Sequence, residues 1–256
     1  MSKIKYFLIL FILFSGLLVA AQPKAEIQRW YIGIFGGANI IDLSTSSYDL
    51  RFNNETALLA GISMQYVLNE NISFKSGLEY DQRKFGMEAH YQGLRLADTS
   101  TYVCYSCRYD YTHQISGYYL TIPLVFQYSK NSKRFGLHIK AGLYYSLLLS
   151  AYEDGSEVEY LDPVQAAPFA DYNIYPGLYV NVFKGTTDKL LNTYDAGVIL
   201  GLGATFSLNN SLALLAEANL QVGFQPIFES PEMIAIYHKA YQLRGGIVYR
   251  LNFGGS

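Results

Sequence analysis

The sequence predicts an all-β protein: an eight-stranded antiparallel up-and-down transmembrane β-barrel with short periplasmic turns and long extracellular loops. Three observations favour this fold class. The chain has 24 Tyr and 15 Phe but a single Trp, a composition that favours strands and membrane-interface girdles. Apolar and polar residues alternate with period two along eight segments. Short and long links between these segments also alternate, as in barrels whose tight turns all lie on one side of the outer membrane.

The first 21 residues have the features of a secretory signal peptide. Two lysines precede an apolar run from Tyr6 to Val19, and two alanines follow it. The run has about 14 residues, too few for the roughly 20 that a membrane-spanning helix needs. We therefore expect export, cleavage after Ala21 and a single mature barrel domain of residues 22–256.

The eight alternating segments are the predicted strands. They cover residues 30–41, 56–67, 71–84, 115–128, 134–149, 193–207, 211–224 and 239–253. The links after the second, fourth and sixth segments are short and polar, which predicts tight hairpin turns. The other links are long, at residues 42–55, 85–114, 150–192 and 225–238. An even strand number returns both chain ends to the periplasmic side, which is where export delivers the N-terminus.

A soluble lipocalin-like carrier is the main structural alternative, because its barrel shows the same alternation with the apolar face enclosing a ligand. Glycines favour a crowded lumen instead, since a solvent-facing strand gains nothing from them. The glycines of the polar face are Gly33, Gly37, Gly61, Gly77, Gly142, Gly197, Gly201, Gly203, Gly223 and Gly246. Aromatic residues near the strand ends predict two girdles on an apolar face that contacts outer-membrane lipid. They are Trp30, Tyr66, Tyr80, Tyr118, Phe126, Tyr128, Phe135, Phe206, Phe224 and Tyr241.

The charged residues of the strands lie on the polar face and nearly cancel. They are Lys75, Arg83, Lys140, Arg244 and Arg250 against Glu79, Asp81, Asp195 and Glu217. Charges enclosed in a lumen need partners, so we expect a salt-bridge network that fills the barrel. An open porin is disfavoured because an aqueous channel needs about 16 strands. The net charge of −2, without Lys/Arg blocks, gives no surface for nucleic acid.

Two stretches carry a family pattern. The first runs from Tyr119 to Leu124 and, after a polar turn, from Ala141 to Leu148; the second begins with Asp195 to Gly203 and continues to the last strand. These stretches resemble the PorT-like outer-membrane β-barrel family of gliding and type IX-secreting bacteria and their relatives. The resemblance implies a location and a fold rather than a reaction, and a few members are tied to type IX secretion. Residues 246–253 resemble the β-signal read by the barrel-assembly machinery, an expected partner during biogenesis.

Cys104 and Cys107 lie in the second long link. In an exported protein this spacing most simply predicts a local disulfide. A metal site would need further ligands, for which His90, His113 and His238 are the candidates. Without a second Cys-x-x-Cys a metal site is disfavoured. We expect neither a metal nor a cofactor.

A lipid-modifying enzyme at the outer rim is the functional alternative. It would use a His, a Ser and an acid, for which His113, His238, Ser116 and Glu232 can be nominated. Their spacing matches no motif, so we expect no catalytic residues.

The third long link contains a Tyr-rich set of candidate contact residues. They are Tyr152, Tyr160, Phe169, Tyr172, Tyr175 and Tyr179. Tyr supplies a rigid contact area with a polar tip, which favours partner binding, although such loops can also merely cap the barrel. The sequence thus predicts a non-enzymatic integral outer-membrane protein, an accessory or partner-binding component of an envelope complex.

Overall fold

The computed structural model describes residues 29–43, 50–92, 108–161, 177–186, 191–228 and 236–251. The ten strands within these ranges are β1 (Arg29–Leu43), β2 (Leu50–Asn54), β3 (Thr56–Val67), β4 (Ile72–Gln92), β5 (Arg108–Asn131), β6 (Phe135–Leu161), β7 (Gly177–Thr186), β8 (Tyr194–Ser207), β9 (Leu212–Gly223) and β10 (His238–Leu251). No helix in this part of the chain is long and apolar enough to cross a membrane. The predicted signal peptide, Cys104 and Cys107 lie outside the described residues, so both of these interpretations stay predictions.

Eight strands close into a barrel with antiparallel pairing throughout. Their order is β1, β3, β4, β5, β6, β8, β9 and β10, and β10 pairs back onto β1. The predicted eight-stranded up-and-down barrel is therefore confirmed. The two additional strands pair with the far ends of long barrel strands, β2 with β4 and β7 with β6.

The short turns at the periplasmic end use asparagine side chains. Asn69 Oδ1 accepts hydrogen bonds from the backbone N–H of Asn71 and Ile72, at 3.0 and 2.8 Å. Asn209 Oδ1 does the same for Ser211 and Leu212, at 2.9 and 2.8 Å. Such Asx turns reverse the chain locally, and both lie where the sequence predicts tight hairpin turns.

The apolar face of the barrel points outward. Leu58, Leu243 and Ile34 are 72%, 63% and 61% exposed, as are their apolar neighbours around the wall. A belt of this size is incompatible with water on both sides of a small barrel and is typical of a surface covered by lipid. The structure therefore excludes the lipocalin-like arrangement, in which this face would line the interior.

Aromatic residues border this apolar belt at both ends. In the periplasmic girdle the rings of Trp30 and Tyr66 pack 4.7 Å apart between centroids. In the outer girdle Tyr80 stacks on Tyr118 at 5.9 Å, and Tyr118 meets Tyr152 edge to face. The two girdles hold the barrel at the two membrane interfaces, where a ring with a polar tip is best placed.

Three strands extend well beyond the outer girdle, which corrects the predicted loop boundaries. β4, β5 and β6 contain 21, 24 and 27 residues, against the roughly 9–11 that a tilted strand needs to cross a bilayer. Together with β2 and β7 their outer parts form an open five-stranded sheet in the order β2, β4, β5, β6, β7. We call it the external sheet (residues 50–54, 85–92, 108–117, 151–161 and 177–186). Much of the predicted long links is therefore strand.

The pattern of polarity inverts where the external sheet begins. On β4 the outward residues change from Leu78 and Tyr80 to Lys84, while the inward residues change from Asp81 to Phe85. Above the membrane the outer face meets water, so apolar side chains turn inward as in a soluble protein. The predicted strand ends at residue 84, because alternation with the apolar face outward stops there.

A β-bulge in β6 explains why the predicted strand of residues 134–149 is too short. Tyr119 pairs with Leu148 and Tyr118 with Ser150, so Leu149 has no partner on β5. A bulge residue shifts the side-chain alternation by one. Ala151 therefore faces inward and Tyr152 outward, and the period-two pattern that predicted the strand stops at residue 149.

Candidate functional site

The lumen contains three layers of buried ion pairs, and the lower layer lies closest to the periplasmic end. Glu217 of β9 accepts hydrogen bonds from Lys75 Nζ at 2.7 Å and from Lys140 Nζ at 2.5 Å, on different carboxylate oxygens. His138 Nε2 lies 3.2 Å from the oxygen that Lys75 contacts. Three basic side chains thus converge from β4 and β6 on one carboxylate.

The middle layer is a single pair across the lumen. Arg244 of β10 donates to both carboxylate oxygens of Glu79 on β4, at 2.6 and 2.7 Å. Its guanidinium also donates to Gln242 and lies over the ring of Phe35, 5.0 Å from the centroid. Bidentate geometry of this kind is strong and specific, so the pair connects opposite walls of the barrel.

The upper layer is built around Arg83. Its guanidinium donates to Asp195 at 2.7 Å, Asp81 at 3.0 Å and Ser146 at 2.9 Å. It also stacks on the ring of Tyr119, 4.2 Å from the centroid. One cation therefore joins strands β4, β5, β6 and β8.

Further polar groups complete the upper layer. Tyr144 Oη donates to Asp195 Oδ2 at 2.9 Å, and His238 Nε2 lies 3.4 Å from the same oxygen. Asn39 donates to Asp81 Oδ1 at 2.6 Å. The predicted site residues omit Asn39 and Tyr144, and they include His238 only as a candidate for a metal site or a rim enzyme. Side-chain alternation places Asn39, Tyr144 and His238 on the lumen side, and this signal could have identified them.

Glycines make room for the large lumen side chains. A Cβ on Gly223 would lie 2.8 Å from His238 Cε1, and one on Gly197 would lie 2.7 Å from Tyr144 Oη. Real Cβ atoms do not approach so closely without displacing a neighbour. The glycines of the polar face therefore match the expected alternation of small and large residues in a narrow lumen.

An apolar cluster closes the lumen above the upper layer. This upper apolar cluster comprises Ile41, Leu43, Phe85, Ile115, Ala151, Leu191, Phe228, Ile236 and Ala240. Leu191 and Phe228 form a backbone bridge, and Asn192 holds the same link by donating to the carbonyls of Pro226 and Phe228. The void between this cluster and Arg83 measures about 10 Å³, room for about one water. No open pore therefore runs through the described part of the barrel.

The periplasmic end of the lumen is open. A vestibule of about 480 Å³ lies below the lower layer, with Lys75 and His138 at its inner end. Hydroxyl and amide side chains line its wall, among them Ser63, Gln65, Ser73, Gln127, Ser129 and Thr205. We call this cavity the periplasmic vestibule.

Comparison with known proteins agrees with this architecture. Residues 20–229 match the family described as Outer membrane protein beta-barrel domain. The chain belongs to this family. No curated protein matches the sequence.

Solved structures similar to this outer-membrane barrel share little sequence with it. The outer membrane protein OprG from Pseudomonas aeruginosa has a TM-score of 0.45 and 11% identity, over 88% of this chain and 97% of that one. Neisserial surface protein A has a TM-score of 0.42 and 10% identity, over 86% and 96%. Ail of Yersinia pestis has a TM-score of 0.38 and 10% identity, over 88% and 99%.

Family membership and the lipid-facing belt identify the chain as an integral outer-membrane protein. The structure brings eight of the nine predicted lumen charges into ion pairs. Arg250 is the exception: it lies near the periplasmic end, and its Nε has no hydrogen-bond partner among the described residues. The residue as a whole is only partly buried, although this Nε atom is itself enclosed.

The residues nominated for a rim enzyme are not brought together. His113 lies on the inward face of the external sheet, where it contacts Glu153 at 3.0 Å and Tyr111. Ser116 lies on the opposite face of β5, His238 belongs to the upper layer, and Glu232 lies outside the described residues. The described ranges also contain no group of three His, Cys, Asp or Glu side chains that could hold a metal ion.

The predicted partner-binding residues fall into three groups. Tyr152 lies on β6 within the outer girdle and is 50% exposed, so it is a membrane-interface residue rather than a loop residue. Tyr160 and Tyr179 lie on β6 and β7 of the external sheet. Phe169, Tyr172 and Tyr175 lie outside the described residues.

The base of the external sheet is joined by a polar contact on its outer face. Glu55, between β2 and β3, pairs with Lys84 at 3.0 Å and accepts a hydrogen bond from Gln114. Partial burial tends to raise the pKa of Glu55, but the hydrogen bond from Gln114 and the charge of Lys84 outweigh it and lower the pKa below its ordinary value. The contact ties β4 and β5 to the β2–β3 junction.

Proposed function

We propose that this protein is a non-enzymatic outer-membrane component that binds a partner protein through its external sheet, as an accessory subunit of an envelope complex. The observation that carries the proposal is the external sheet itself, which stands beyond the outer girdle above a closed lumen. A barrel that served only as a channel would need an open bore. A barrel that served only as an anchor would need no projecting sheet.

The edge of the external sheet is suited to partner binding. Within the described residues β7 pairs with β6 on one side only. An edge strand with free backbone N–H and C=O groups can accept an added strand from a partner. Val182 of β7 is 71% exposed, and Lys184 next to it pairs with Asp154 on the surface at 3.1 Å. The edge therefore combines apolar and charged contacts.

We further propose that the complex is related to type IX secretion. Residues 119–124, 141–148 and 195–203 resemble PorT-like barrels, which favours this assignment. A host that uses this secretion system should lose export of its type IX cargo when the gene is deleted, and the intact chain should restore export. Normal export in the deletion strain would contradict this assignment and leave partner binding to be tested separately.

Partner binding can be tested by photocrosslinking in the native host. A photoreactive amino acid replaces Val182 or Lys184 at the edge, and Leu202 on the lipid-facing wall serves as the matched control. We expect both edge positions to yield the same discrete crosslinked protein and Leu202 to yield none. Equal products from all three positions, or none from the edge positions, would overturn the proposal.

A further inference from the structure

The positive and negative charges do not cancel within each ion-pair layer of the lumen. In the lower layer Lys75 and Lys140 share the single carboxylate of Glu217. In the upper layer the two carboxylates of Asp81 and Asp195 share the guanidinium of Arg83. Within the described residues the lower layer therefore carries one positive charge in excess, and the upper layer one negative charge.

The two excess charges are too far apart to form a pair. Lys75 and Asp81 are six positions apart on β4, which corresponds to about 20 Å at roughly 3.3 Å per residue. The middle pair of Glu79 and Arg244 lies between them and is neutral by itself. Arg250 adds a further positive charge toward the periplasmic end. Buried charge that its partners do not balance is costly, so the excess positive charge of the lower layer favours the binding of an anion.

The periplasmic vestibule supplies the space for one. Its volume of about 480 Å³ lies within the range of roughly 300–1,000 Å³ typical of small-molecule sites. Lys75 reaches it from the lower layer with one N–H donated to Glu217, and an ammonium has three donors, so two remain. Glu70 is the one carboxylate among the described residues that line the cavity, and it lies in the exposed β3–β4 turn. Glu217, which contacts Lys75 and His138, is not among the lining residues.

We propose that the periplasmic vestibule binds a small anion through phosphate or carboxylate oxygens. Lys75 and His138 contact the anion at the inner end, and the hydroxyl and amide side chains of the wall donate to its outer oxygens. Gln127 is buried in this wall and its Oε1 has no hydrogen-bond partner among the described residues. The hydroxyl of a hydrogen phosphate ion would donate to it, whereas an ionised carboxylate has no proton to donate. The site faces the periplasm and is independent of the external sheet.

The test uses the full chain refolded in a detergent with an uncharged sugar headgroup. Inorganic phosphate and acetate are titrated at constant ionic strength, with chloride as the reference, and binding is followed by backbone amide NMR shifts and thermal midpoint. We expect saturable shifts at Lys75, Gln127 and their neighbours with phosphate or acetate. A chloride response equal to that of both oxyanions, or no saturable shift at all, would overturn the proposal.

Two substitutions with opposite expected effects sharpen the test. Lys75→Met removes the excess charge and should weaken oxyanion binding at least tenfold, whereas Lys84→Met, on the outer face of the same strand, should leave it unchanged. Glu217→Gln frees both lysines and should tighten binding. Heat-modifiable gel migration verifies folding, and Glu217→Gln still tests the site if Lys75→Met does not fold. Unchanged binding in folded Lys75→Met, or weaker binding in folded Glu217→Gln, contradicts the site.

Measurements in a membrane distinguish a free anion from a lipid headgroup as the ligand of the vestibule. The same phosphate titration is repeated in nanodiscs of zwitterionic lipid and in nanodiscs containing an anionic phospholipid. A response retained in both indicates a free anion, and a response lost only with the anionic lipid indicates that a headgroup occupies the vestibule. Both results support an oxyanion site.

Discussion

Arg244 and Glu79 face each other across the lumen and share two hydrogen bonds of 2.6 and 2.7 Å. The two residues lie on β10 and β4, which do not pair with each other and are separated in the barrel by β1 and β3. The pair therefore spans the interior rather than following the wall. It is also the one layer of the network in which charges match one to one.

The Arg244–Glu79 pair should behave as a coupled unit. Removal of one partner leaves a buried charge, so Glu79→Leu or Arg244→Met should each lower the free energy of unfolding by about 3–5 kcal/mol. The double variant Glu79→Leu/Arg244→Met should lose less than either single variant, because no charge is left unpaired. Urea unfolding from lipid vesicles measures all three. Additive losses would show that the two residues act independently.

The exposed pair of Lys184 and Asp154 is the matched control for this cycle, at 80% and 53% side-chain exposure. Lys184→Met should change the free energy of unfolding by less than about 1 kcal/mol, because water screens a surface ion pair.

Gly223 and Gly245 should respond differently to the same substitution. A Cβ on Gly223 would meet His238 at 2.8 Å, whereas one on Gly245 would meet nothing within 4 Å. Gly223→Ala should therefore lower the free energy of unfolding by about 1–3 kcal/mol through overpacking. Gly245→Ala should not lower the free energy of unfolding, since the added Cβ has free space and Ala restricts the unfolded chain more than Gly does. Similar losses for both variants would indicate that the lumen does not constrain Gly223.

Deletion of Leu149 should be tolerated, because it removes the bulge without changing the strand pairs beyond it. Ser150 would then follow Leu148 directly and stay opposite Tyr118, so Ala151 would still face inward and Tyr152 outward. We expect heat-modifiable migration of this variant and protease resistance of residues 152–161 equal to that of the unaltered chain. Deletion of Leu137, which has partners on both neighbouring strands, shifts the register and should abolish heat-modifiable migration. Rapid proteolysis within residues 152–161 of the Leu149 deletion would show that the external sheet needs the bulge residue itself.

The lumen should not conduct ions as an open pore. Three ion-pair layers and the upper apolar cluster occupy it, and the void beside Arg83 holds about 10 Å³. Recordings in planar bilayers should show no steady conductance above the leak of the bilayer, with a trimeric porin as the positive control. A stable unitary conductance in every insertion would mean that the network opens in a membrane.

The contact between Glu55 and Lys84 should weaken on acidification. The folded-state pKa of Glu55 is lowered relative to its ordinary value of 4.5, so the contact stabilises the fold above that value and is lost as the pH falls through the folded-state pKa. Carboxyl-selective NMR should show Glu55 titrating below its ordinary value. Gln114→Ala and Lys84→Met should each raise the titration midpoint, whereas Lys184→Met should not.

Parts of the fold depend on interactions that sequence alternation cannot report. β6 continues for twelve residues past the predicted end at Leu149, because the bulge shifts its pattern and its pairing with β5 and β7 supplies the backbone hydrogen bonds. Phe85 looks like a loop residue in a pattern that assumes lipid outside. It is a core residue of the upper apolar cluster, since the surrounding solvent changes above the outer girdle.

Composition and period-two alternation by themselves determined the number of barrel strands, the outward apolar face, the periplasmic turns and the set of charges that enter the lumen. These follow from local rules, because successive side chains of a strand point to opposite faces. The tertiary structure decided which charges pair, how His238 and Tyr144 join Asp195, and that Lys75 and Lys140 share one carboxylate. Such contacts cross the lumen between strands far apart in sequence, so their geometry depends on barrel closure and stagger, which no single strand contains.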